Sequence, residues 1–147
     1  MSYSIDANLL LYASNRDCVE HERAVRFLER CARNRELLCL AWPTVMAYLR
    51  IATHPAIFPS PLTPKEAQDN MEALLQLDHV RAIGEQDGFW DMYAESAAVA
   101  PTRGNDVPDL HLAILLKQND VTTLFTNDGD FRRFPFLRVR NPLVDEE

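Results

Sequence analysis

Short apolar runs that end in a carboxylate or before a proline alternate along this chain with longer stretches of helical period. Tyr3 to Ile5 predicts a brief strand closing at Asp6, after which Leu9-Leu10-Leu11-Tyr12-Ala13 continues as a buried helix or turn. From Glu20 to Arg33 the residues Ala24, Val25, Phe27, Leu28, Cys31 and Ala32 share one helical face and Arg23, Arg26, Arg30 and Arg33 the other, the pattern of an amphipathic helix. Leu37 to Ala41 predicts a buried strand, and Trp42-Pro43 opens a helix that ends near Thr53-His54-Pro55. Thr63-Pro64-Lys65-Glu66 carries a capping Thr, a Pro at the first helical position and a Glu three residues after the cap, which together define a capping box ahead of Ala67, Met71, Leu74 and Leu75.

Further on, His79 to Ile83 predicts a short strand, Phe89 to Val99 a helix, and Leu110 to Leu116 part of another. Val121 to Phe125 is a β-branched strand and Leu137 to Val139 a last one. Strands that alternate with helices favour an α/β fold around a mostly parallel sheet of four to five strands. At 147 residues, with 47% hydrophobic residues, the chain is expected to fold as a single domain over 1–147.

Composition narrows the function classes. No apolar run approaches the roughly 20 residues of a membrane span, and the N-terminus lacks the basic segment of a signal peptide, so the expectation is a cytoplasmic protein without a membrane partner. Cys18, Cys31 and Cys39 are odd in number and form no C-x-x-C pair, which argues against a disulfide framework and a thiolate zinc site. A net charge of -7 argues against gripping nucleic acid by bulk electrostatics. Any such contact would depend on local basic patches and a bound cation.

The chemistry lies in three acidic stretches, Ile5-Asp6-Ala7-Asn8, Pro108-Asp109-Leu110-His111 and Thr126-Asn127-Asp128-Gly129-Asp130. In a parallel sheet, ligands gather beyond the carboxyl ends of the strands, where Asp6 and Asp128 are expected. A hard cation such as Mg²⁺ or Mn²⁺ takes oxygen ligands and suits a loose group of carboxylates. Each acid also has a bland explanation. Asp106 can serve as an N-cap that places Asp109 in the first helical turn, and Asn127-Asp128-Gly129 is an ordinary turn. Asp6 is harder to explain structurally, because the apolar Leu9-Leu10-Leu11 follows it directly.

Other motifs are missing. His21, His54, His79 and His111 lack metal-ligand spacing, and no P-loop, dinucleotide fingerprint, nucleophile elbow or calcium loop is present. The Arg23, Arg26, Arg30, Arg33 stripe reads as a solvated face with Glu22–Arg26 and Glu29–Arg33 pairs. Arg132 and Arg133, with Arg138 and Arg140, have the better claim to touching RNA, since they follow Asp128 directly.

Taken in order, Ile5-Asp6-Ala7-Asn8-Leu9-Leu10-Leu11-Tyr12-Ala13, Ala41-Trp42-Pro43, Leu49-Arg50-Ile51-Ala52-Thr53, Asp109-Leu110-His111-Leu112-Ala113, Thr126-Asn127-Asp128-Gly129-Asp130-Phe131 and Asn141-Pro142-Leu143 resemble the PIN-domain family, specifically its VapC-type ribonuclease toxins. The resemblance covers almost the whole chain. It implies a three-layer α/β/α sandwich and a Mg²⁺- or Mn²⁺-dependent endoribonuclease. In it Asp6, Asp109 and Asp128 match the metal-binding aspartates, Asp130 supplies an extra acid, and Asn8, Asn105 and Thr126 match supporting polar positions. The reaction it implies is hydrolysis of an RNA phosphodiester by a water that the ion orients, with Asp130 or Asp128 accepting the proton. It further implies a small antitoxin partner and a homodimer, for which Trp42, Met46, Tyr48, Phe58 and Phe89 are candidate interface residues if they are not core.

One departure stands out. PIN nucleases commonly place another acid in the helix after the second strand, yet from Leu37 through Lys65 this chain has no carboxylate. That gap motivates a rival reading, a PIN-like module that binds RNA or a partner without cutting. A metal-dependent phosphatase or phosphoacceptor ranks below both, because Asp6-Ala7-Asn8 is not Asp-x-Asp.

Overall fold

Strands β1 (Ser2–Ile5), β2 (Leu37–Ala41), β3 (Val80–Ile83), β4 (Thr123–Phe125) and β5 (Arg138–Arg140) form one sheet in the order β3-β2-β1-β4-β5 in a computed structural model that describes residues 2–144. Every pairing is parallel, with Ile5 opposite Phe125 and Phe125 opposite Arg140. The helices are α1 (Ala7–Ala13), α2 (His21–Arg33), α3 (Trp42–Ala52), α4 (Pro64–Leu75), α5 (Phe89–Val99) and α6 (Asp106–Gln118), with a 3-10 turn over Gly129–Arg133.

The pleat of β2 shows why three layers form. Leu38 and Leu40 enter a core with Leu9, Leu10, Phe27, Val45, Tyr48 and Met71, whereas Cys39 and Ala41 enter a second core with Leu110, Ala113, Ile114 and Phe131. Both faces of the central strands are therefore buried, as a doubly covered parallel sheet requires. The topology follows from handedness. The chain runs outward from β1 to β2 to β3 with α1 to α4 on one face, then crosses to β4 and β5 on the far side of β1, and right-handed crossovers place α5 and α6 on the opposite face. β1 and β4 thereby flank the point where strand order reverses.

Most predicted boundaries are reproduced. The capping box is complete, with the Thr63 side chain accepting from the Glu66 amide at 3.1 Å and the Glu66 carboxylate from the Thr63 amide at 2.8 Å. Two local expectations are corrected. Asp106 is not the N-cap of α6 but its first residue, since the turn carbonyls of Arg103 and Gly104 accept from the amides of Asp106 and Val107 and start the helix one residue earlier. Gly104 makes that turn possible by adopting a positive φ of 59°. On α2, the Glu22–Arg26 and Glu29–Arg33 pairs do not close among the described residues. Arg23 instead donates to the Leu143 carbonyl and ties the C-terminal segment to the helix.

Candidate metal centre

The amide of Asp6 donates to Phe125 O at 2.9 Å, extending the β1–β4 ladder by one residue and placing its side chain at the reversal point. As N-cap of α1, Asp6 accepts from the Ala7 amide through Oδ1 at 2.8 Å. Its other oxygen, Oδ2, accepts from the Thr126 hydroxyl at 2.7 Å.

Thr126 is the hub of the site. It is 1% exposed, its amide donates to Arg140 O at 2.9 Å, and its Oγ1 also accepts from the Asp128 amide at 2.9 Å and from Asn8 Nδ2 at 3.3 Å. One donated and two accepted bonds fill the capacity of a hydroxyl. Because that single proton goes to Asp6, Asn8 must present its NH₂ to Thr126, and its Oδ1 is left buried without a partner among the described residues.

Asp128 caps the 3-10 turn, accepting from the Asp130 amide at 2.9 Å. The turn expected from Asn127-Asp128-Gly129 thus exists, and it also aims acids. Asp109, Asp128 and Asp130 each bring a carboxylate oxygen within 4.8 Å of the other two. Asp6 is not in that tight trio, yet Asp6 and Asp109 both feel the charge of their neighbours. Burial raises the Asp6 carboxyl above its ordinary value and Asp128 adds to the rise, against opposing hydrogen bonds from Thr126 and Ala7. Asp109 is also raised by burial first and by Asp128 second, with Arg133 pulling it down and Asp6 pushing it up.

The other expected residues divide. Asn105 is exposed at the N-cap of α6, makes no side-chain cap, and is not brought to the acids by any hydrogen bond among the described residues. Arg132 is exposed. Arg133 is exposed as well but reaches the acids, its Nη2 lying 3.5 Å from both Asp106 and Asp109 while Nη1 donates to Asp130 O at 3.0 Å. His111 is half-exposed and bonded to Glu85 at 2.7 Å.

The gap after β2 is not filled from α3. Tyr48 is 1% exposed and its hydroxyl is shared with Ser14 at 2.7 Å and Asn70 at 3.0 Å, between α1 and α4. Asp130 supplies the third close carboxylate instead. Sequence reasoning missed a supporting chain in which Asn127 donates to Tyr12 Oη at 3.1 Å and accepts from Asn141 at 2.8 Å, while Asn141 Oδ1 accepts from the Leu143 amide. The only signal for it was Asn141-Pro142-Leu143, which carries the family resemblance without an evident role.

The donor set fits a hard divalent cation: carboxylate and amide oxygens only, one of them an orphaned buried acceptor beside Asp6.

Comparison with known proteins agrees with this architecture. A PIN-domain family model matches residues 3–137. Ribonuclease VapC48 of Mycobacterium tuberculosis is 38% identical over 142 residues, spanning 97% of this chain and 98% of that one. Among solved structures, VapC20 of M. tuberculosis, a Sarcin-Ricin loop cleaving toxin, superposes with a TM-score of 0.68 at 14% identity, covering 94% of this chain and 98% of that one. VapBC2 from Rickettsia felis, bound to a fragment of promoter DNA, gives 0.67 at 20% identity over 96% and 98%. At those identities the two structures speak to the fold.

Proposed function

We propose, from the premise that the chain belongs to the PIN-domain family, that it is a metal-dependent endoribonuclease, the toxin of a type II toxin–antitoxin pair. The observation that carries this reading is the convergence of Asp109, Asp128 and Asp130 within 4.8 Å beside the Asp6–Thr126–Asn8 network, in a chain 38% identical to a VapC ribonuclease. A single PIN-like domain over 1–147 suffices for it.

Asp6, Asp109 and Asp128 would hold Mg²⁺ or Mn²⁺, which when bound makes a water more acidic and offsets charge developing at phosphorus. The chain's own groups do the rest. Thr126 fixes the orientation of Asp6, Asn8 braces Thr126 while keeping a buried oxygen that has no partner among the described residues, and the exposed Asp130 accepts the proton of the attacking water. Arg132 is exposed two residues after Asp130 in the chain and meets the RNA backbone.

The family reading carries an antitoxin partner, homodimerisation and a cytoplasmic site of action. Trp42 and Met46 are half-exposed and offer apolar surface for a protein contact, whereas Tyr48 and Phe58 are buried in the fold. No helix among the described residues is long and apolar enough to cross a membrane.

Incubating the purified chain with total RNA and Mg²⁺ or Mn²⁺, with and without EDTA, tests the proposal. Chelator-sensitive cleavage is expected. Intact RNA under every metal condition would favour the second reading, a PIN-like module that binds RNA or a partner without cutting, for which the carboxylate-free α3 is the specific motive.

The raised carboxyls also make a prediction about stability. The folded, metal-free protein holds the Asp6 and Asp109 protons to higher pH than the unfolded chain, whose carboxyls titrate near about 4. Their contribution to stability therefore falls as pH rises from that range through the raised values, the reverse of an ion-paired acid. In EDTA-treated samples, denaturant unfolding at pH 4 and pH 7 should show the parent losing stability relative to Asp6→Asn as pH rises. A difference that stays constant, or grows in the parent's favour, contradicts the assignment.

A further inference from the structure

The site contains a cation of its own. Arg133 lies 3.5 Å from both Asp106 Oδ1 and Asp109 Oδ2, donates to the Asp130 carbonyl, and rests over the Phe134 ring with its guanidinium carbon 4.6 Å from the centroid. These contacts hold a planar group that pays for its ordering in several directions at once. Asp109 belongs both to this pair and to the close carboxylate trio. The same side chain lines a groove of about 460 Å³ together with Lys117, Phe134 and Phe136.

We propose that Arg133 is an internal counter-ion of the acid cluster, which competes with the divalent cation for Asp109 and, once displaced, engages a phosphate of the RNA. The inference rests on the reading of the cluster as the metal centre of a ribonuclease. Two physical facts drive it. A fixed positive charge within a few ångströms of a doubly charged ion repels it, and three facing carboxylates without an ion repel one another, so the guanidinium stabilises the empty arrangement and opposes the filled one. An ion held by Asp109 would cost Arg133 that partner, while Phe134 still seats the guanidinium in a groove where Lys117 adds a second positive charge. A guanidinium released there matches a phosphodiester through paired N–H donors.

The test measures binding first and turnover second. Mn²⁺ titration by calorimetry on the parent, Arg133→Gln and Arg133→Lys should give Arg133→Gln an affinity about tenfold tighter than the parent, the order expected for removing one unit charge paired to a would-be ligand in a water-like dielectric. Arg133→Lys, which keeps the charge, should stay near the parent. Circular dichroism melts confirm that both variants fold. At saturating Mn²⁺, Arg133→Gln should raise KM for RNA severalfold with kcat little changed. Equal or weaker Mn²⁺ binding by Arg133→Gln overturns the competition, and tighter binding with an unchanged KM overturns the phosphate contact. If the parent itself binds no Mn²⁺, the metal-centre reading fails with it, a result distinct from either.

Discussion

Asp6→Asn is expected to abolish Mn²⁺-dependent RNA cleavage, lowering kcat/KM by roughly a hundredfold or more, equivalent to about 2.7 kcal/mol of transition-state stabilisation. The size follows from position. Asp6 sits at the end of the central strand, fixed by donors on both oxygens, so its charge cannot be replaced by a neighbour swinging in. An amide in the same place keeps an acceptor for the Ala7 amide and removes the charge. A second measurement separates loss of metal from loss of fold. Mn²⁺ at a hundred times its Kd should add about 2.7 kcal/mol to the stability of the parent and far less to that of the variant. A variant that cuts RNA as well as the parent, or that gains the same stability from Mn²⁺, would remove Asp6 from the centre.

The next largest effect is expected at Thr126, a residue that touches no predicted substrate. Thr126→Val preserves shape in a position only 1% exposed but deletes the hydroxyl that Asp6, Asp128 and Asn8 share. Asp6 Oδ2, the Asp128 amide and Asn8 Nδ2 each lose a partner, and a buried polar group left unpaired costs about 1–3 kcal/mol. The loss of a bond that favours the charged carboxylate also pushes Asp6 further up. Outer-shell partners of metal ligands typically contribute 10–100-fold in affinity, so Mn²⁺ binding by Thr126→Val should fall by about that factor. Thr126→Ser, which restores the hydroxyl, should recover most of it. If Val and Ser behave alike in the Mn²⁺ titration, the hub has no bearing on the ion.

Much of this arrangement is legible in the chain. The strand ending at Ile5, the α2 stripe, the exact-length run Leu37–Ala41 and the Thr63–Glu66 box are local patterns, and each appears in the fold with the same limits or one residue away. The failures are also physical. The start of α6 depends on which turn carbonyls reach the first amides, so a good capping residue at Asp106 lost to the Arg103–Gly104 turn. Arg133 was legible as a basic residue following Asp128, but its ion pairs with Asp106 and Asp109, over twenty positions earlier, were not.

The sequence by itself determined the α/β alternation, the strand-end placement of Asp6 and the stock of acids available to the site, because periodicity, capping and composition act over a few residues. Which acids meet was decided only by the tertiary structure. The order β3-β2-β1-β4-β5 sets Ile5 beside Phe125, and that register brings Thr126 onto Asp6 across 120 positions. It also draws Asp130 into the trio and sets Arg133 against Asp109. Such choices rest on non-local hydrogen bonds and on the burial of both sheet faces, and no local pattern encodes them.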